Sequence, residues 1–190
     1  MSGRAMFAKG SVVRSTLAFL RSERGDDGVA TALATIEPVQ REELTRAEPT
    51  DEIPFATVRA LWDAVEAQLG ASDPRWSERA GAFSIDSAGA QLYGGILRKS
   101  NPTEFLTQSV SLFRLFYRPG DMEVVLADPG AAVLRLVGFE PGTPMFCQRQ
   151  TGGLGRALAL AGGAEPRARH VRCVNEGDAF CEWELKWKTG

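Results

Sequence analysis

The chain has 190 residues, a formal net charge of −2, 44% apolar residues and 24% charged residues. That length buries a full core without staples, and the near-neutral charge removes the electrostatic case for nucleic acid or an acidic membrane surface. No apolar run reaches the ~20 residues of a membrane span, and Lys9 and Arg14 interrupt the N-terminal stretch in a way foreign to a signal peptide, so a cytoplasmic protein with reduced thiols is expected.

In chain order, helices come first and strands last. Val13, Leu17 and Leu20 give helical spacing over 5–22, and a short helix over 26–35 follows the GDDG turn. The polar, acidic stretch 36–52 reads as a loop with some helix. Val58, Leu61, Trp62, Val65 and Leu69 then form one apolar stripe, with Pro54 at the helix start. A longer, glycine-interrupted helical segment over 73–99 ends at Asn101-Pro102. A helix over 103–117 carries Phe105, Leu106, Val110, Phe113, Phe116 and Tyr117, and Arg118-Pro119-Gly120-Asp121 stops it.

The period then changes. MEVVLA and AAVLRLV flank Asp128-Pro129-Gly130 and predict a β-hairpin. Residues 144–162 return to helix. Val171–Val174 and Phe180–Trp187 predict a second hairpin, in which Cys181, Trp183, Leu185 and Trp187 share one face. The expected fold is α+β: an N-terminal helical layer packed on a four-stranded antiparallel sheet of two hairpins, with a helix between them. One domain over 1–190 is expected, with residues 1–50 as an N-terminal helical part and 51–187 as the core.

HVRCVNEGDAFCEWELKW, at 170–187, holds the sole histidine and two of three cysteines. Cys173 and Cys181 are centred on Gly177, so both thiols face the core within reach of each other. Cys147 lies near the start of the preceding helix, where a thiolate is favoured. His170 is the natural fourth ligand for a tetrahedral metal site, with water or Glu176 as alternatives. Strand register opposes this, because three residues along a regular strand reverses the face. Buried inert thiols and a redox pair stay open beside the metal reading.

Cys147, Cys173 and Cys181 at this spacing, Gly177-Asp178 in the turn and the alternating Trp183-Glu184-Leu185 tail resemble the 4-vinyl-reductase-like sensory domain. That family shares its broad fold with TRAPP transport subunits and, distantly, with haem-based nitric-oxide sensors. The first 50 residues also look like a myxobacterial family of uncharacterised paralogues of similar length. In the phenol-sensing members, three such cysteines and a carboxylate three positions before the second bind zinc; here His170 takes that position. The resemblance implies a structural zinc held by Cys147, His170, Cys173 and Cys181. Haem is not expected, because the sole histidine lies in the hairpin and not on a helix beside a central cavity, and no phosphate-binding glycine loop suggests a nucleotide.

It also implies a ligand pocket between the long helix and the first hairpin strand. Tyr93, Arg98, Val124 and Leu126 fall there, a greasier set than phenol recognition uses, with Arg98 available to an anion. No nucleophile triad, P-loop or carboxylate pair marks an enzyme; Thr151-Gly152-Gly153-Leu154-Gly155 lacks the Lys-Ser/Thr of a P-loop and follows no strand. The expectation is a non-enzymatic module sensing a small apolar or aromatic molecule. It would form a homodimer and signal through a protein partner, since no output domain follows the last strand. The alternative is a TRAPP-like interaction or scaffold domain with a filled core.

Overall fold

The first helix starts after a short strand that apolar spacing does not reveal. In the computed structural model, β1 (Phe7–Lys9) precedes α1 (Gly10–Ala34). The structure describes residues 5–89 and 101–189. The two helices expected over 5–35 are one element kinked at Gly25. The acidic stretch holds α2 (Pro38–Arg46) and β2 (Glu52–Pro54), and α3 (Phe55–Leu69) follows. Every residue of the α3 stripe, Val58, Leu61, Trp62, Val65 and Leu69, is buried.

The described chain divides into two compact units. The first runs to Trp76 and regains Phe116–Pro119, so β3 (Tyr117–Arg118) belongs to it. Its small antiparallel sheet has the order β2-β1-β3. Strands of two or three residues are too short to show alternation, so no local period in the sequence predicts this sheet. Phe55 packs edge-on against both Trp62 and Tyr117, an arrangement that suits the ring quadrupoles.

The second unit holds Ser77–Leu115 and the chain from Gly120 onward. Its helices are α4 (Trp76–Ser84, whose first residue lies in the first unit), α5 (Pro102–Phe116) and α6 (Pro144–Leu160), with a π-helical turn at Ile85–Gly89. Gly152 of α6 lets the backbones of α4 and α6 meet: a Cβ there would stand 1.8 Å from the Glu78 carbonyl oxygen. The larger sheet is antiparallel with order β4-β5-β7-β6, from β4 (Asp121–Asp128), β5 (Ala131–Val137), β6 (Ala164–Arg172) and β7 (Cys181–Lys188). The fold is therefore α+β, with both expected hairpins joined through β5 and β7 and with α6 between them in the chain.

Two details differ from expectation. β6 begins at Ala164, not near Val171, because an edge strand carrying Pro166, Arg167 and Arg169 has no apolar alternation to read. Glu182 follows Cys181 and so falls on the opposite face of β7, where alternation predicts solvent, yet it is only 8% exposed. Arg135 holds its carboxylate through Nε and Nη2 at 3.1 and 2.8 Å, and the Arg135 guanidinium lies 3.8 Å from the Phe180 ring centroid. Among the described residues, no helix is long and apolar enough to cross a membrane.

Candidate metal centre

Three elements of the second unit converge on one point. Thr143 caps the N-terminus of α6, its hydroxyl accepting from the Met145 N–H, and Pro144 follows at the first helical position. This fixes where Cys147 emerges. β7 supplies Cys181 from its first position, with its side chain on the buried face. Cys173 stands just past β6, before a 3-10 turn at Val174–Glu176.

That turn is closed tightly. Cys173 donates its backbone N–H to Asp178 Oδ2 at 2.7 Å, and its carbonyl accepts from the N–H groups of Glu176 and Asp178. Gly177 takes a φ of 94°, a conformation other residues enter only with strain.

The register objection to His170 is answered by the backbone. The β6–β7 ladder shifts between His170 and Arg172, a bulge that re-aims the chain. Cys173, past the strand end, is free of the alternation that would have set it opposite His170. The four donor atoms of Cys147, His170, Cys173 and Cys181 lie within 4.8 Å of one another. Among the described residues, no other group of three or more such side chains gathers in this way.

The spacings suit an ion. A divalent ion about 2.3 Å from each thiolate of a tetrahedral site holds the sulfurs about 3.8 Å apart. Cys147 Sγ lies 3.7 Å from Cys181 Sγ and 4.0 Å from Cys173 Sγ. These distances are far from a disulfide's S–S bond, and all three cysteines are free and buried. His170 Nε2 is buried without a hydrogen-bond partner. A buried nitrogen with no well-formed hydrogen bond, beside three thiols, carries a desolvation cost that coordination would remove.

Without an ion, the thiols share protons. Cys147 donates to Cys181, which raises its own pKa, and burial raises it further. Cys181 is shifted down, chiefly as the acceptor of that hydrogen bond, with His170 and the Val174 N–H assisting against desolvation. Asn175 Nδ2 donates to Cys173 Sγ at 3.6 Å. One thiolate is thus already favoured, and N–H groups are aimed at two of the sulfurs.

Around these donors stand residues that a reading of the sequence takes for core or loop. The Trp183 ring stacks at 4.7 Å on the His170 ring, tilted by 30°. Asn175, two positions after Cys173 in a turn, is the one legible signal of a group close enough to touch sulfur.

The expected ligand pocket is a different matter. Tyr93 and Arg98 lie outside the described residues. Val124 and Leu126 sit on the edge strand β4 either side of a bulge, and Leu126 is 46% exposed. A cavity of about 590 Å³ elsewhere in this unit is lined by Asn101, Pro102, Asp128, Trp187 and Lys188 among others; neither Val124 nor Leu126 borders it.

No family model and no curated protein matches the sequence. Solved structures do. The Fe(II) unliganded H-NOX protein from K. algicida aligns with a TM-score of 0.72 at 12% identity, covering 96% of this chain and 97% of that one. A mutant of the H-NOX protein from T. tengcongensis gives 0.71 at 17% identity, over 95% and 98%. A structure probing haem distortion in the H-NOX family gives 0.72 at 16% identity, over 95% of each chain. The chain has the H-NOX fold. The solved structures thus support the distant arm of the resemblance in its fold; the vinyl-reductase and TRAPP names and the myxobacterial paralogues find no support.

The cofactor expectation, structural zinc with neither haem nor nucleotide, is corrected by these neighbours, since the fold is that of proteins described with Fe(II) and haem. Haem iron takes an axial His, Cys, Met or Tyr. Here the sole histidine and all three cysteines converge within 4.8 Å, a space that encloses a bare ion and not a porphyrin. The cluster does not fit haem.

Proposed function

We propose that this chain is a non-enzymatic module of the H-NOX fold that senses a small apolar molecule, with one metal ion held as a structural staple by Cys147, His170, Cys173 and Cys181. The observation that carries the staple is the convergence of the four donors within 4.8 Å, with His170 Nε2 buried and without a well-formed hydrogen bond. Four protein ligands close a tetrahedral shell, and a closed shell is structural rather than catalytic. The sensing role is supported by likeness of fold to the H-NOX proteins. Ligand occupancy would be passed on through a dimer mate or a protein partner.

Elemental analysis of protein purified without added metal tests the staple. About one equivalent of a thiophilic divalent cation per chain is the expected result. Three freely titrating thiols and no metal would remove it. Native mass spectrometry of the same preparation tests the sensing role by a copurified small molecule, and the visible absorption spectrum reads haem directly.

A further inference from the structure

The four candidate ligands come from a helix, a strand end, a turn and a second strand. Something must hold the helix-borne ligand in register with the hairpin-borne ones. Cys147 rides on α6, while His170 rides on β6. A continuous set of contacts joins them.

Trp183, fully buried on β7, stacks on the His170 ring on one side. Its indole Nε1 donates to Thr151 Oγ1 at 3.0 Å. The Thr151 hydroxyl in turn donates to the carbonyl oxygen of Cys147 at 2.9 Å. One hydroxyl therefore accepts from the residue that seats the histidine and donates to the backbone of the cysteine. Both of its partners are spoken for by geometry: an indole N–H has one proton to give, and a buried one rarely goes without an acceptor. Asn175, by contrast, touches the turn cysteine.

We propose that Thr151 is a positioning residue for the metal centre, tying Cys147 to His170 through Trp183 so that helix-borne and strand-borne ligands keep one geometry. This rests on the metal reading above. Metal sites lose about tenfold or more in affinity when a group that orients a ligand is removed. Here the loss falls on dissociation, since a ligand free to turn away opens the shell from one side.

The test uses the 190-residue chain loaded with cobalt(II), whose thiolate-to-metal absorption reports the intact site. Excess chelator is added and the decay of that absorption is followed. Thr151→Val, nearly isosteric but without the hydroxyl, is expected to release cobalt about tenfold faster than the unaltered protein. Trp183→Phe keeps a ring on His170 and removes the N–H, and the same acceleration is expected. Thr151→Ser, which keeps the hydroxyl, is expected to stay within about twofold of the unaltered rate. The serine and phenylalanine variants decide the matter alone if Thr151→Val fails to fold. A Thr151→Val rate equal to the unaltered one overturns the proposal, and so does a Thr151→Ser rate as fast as the phenylalanine variant. If the unaltered protein neither carries a metal nor takes up cobalt, the metal reading itself fails, an outcome distinct from unaltered release in the variants.

Discussion

The two hairpins of the larger sheet solve the same problem in different ways. The hairpin of β6 and β7 turns through Asn175-Glu176-Gly177-Asp178 and is pinned at that turn by hydrogen bonds, a positive-φ glycine and two buried thiols. Behind the turn, Trp183, Leu185 and Trp187 are buried. The hairpin of β4 and β5 is anchored along β5, where Ala132, Leu134 and Leu136 are buried. Its outer strand carries a bulge and leaves Val125 and Leu126 about half exposed. One hairpin is thus held from its turn and the other from its inner strand. A cross-linking ion is useful only in the first, where donors already converge.

The largest break in that contrast comes from the ion. Stripping metal with a chelator, or replacing Cys181 by Ala, is expected to lower the melting temperature by about 10–20 °C, because metal binding at a structural site is folding free energy. Circular dichroism on both preparations checks it, and an unchanged melting curve counts against the staple. Next comes Trp183→Ala. The side chain is fully buried and touches both His170 and Thr151, so a loss of about 3–5 kcal/mol is expected from urea unfolding. Gly177→Ala ranks third. A φ of 94° costs a non-glycine residue about 1–2 kcal/mol. Amide exchange should then quicken at the β6–β7 turn ahead of the β4–β5 turn; equal quickening in both would erase the distinction between the hairpins.

Much of the pinned hairpin is legible in the residues alone. The alternation from Cys181 to Trp187 puts the thiol and both tryptophans on one face, and all are buried. The spacing of Cys147, Cys173 and Cys181 anticipates their convergence. The orientation of His170 is not legible, since it depends on a one-residue bulge that no local pattern encodes. Nor is the length of β6, because an edge strand has only one neighbour and tolerates arginines on its open face. The short sheet of the first unit escapes because pairing between distant segments, Phe7 with Pro54 and with Arg118, leaves no mark within any one of them.

The mildest effect sharpens the comparison from the other side. Leu126 belongs to the expected pocket only by its place in the first hairpin. On β4 it pairs with Val133 beyond the bulge and is 46% exposed. A side chain half in water gains little from burial, so Leu126→Ala should shift stability by no more than about 0.5 kcal/mol. Unfolding in urea measures this. A loss of about 2 kcal/mol or more, the size of a buried-leucine truncation, would mean that the side chain is covered in solution, by a ligand or a second copy of the chain. Concentration dependence of the melting temperature separates these two, since a dimer stabilises by mass action and a tightly held ligand already carried by the protein does not.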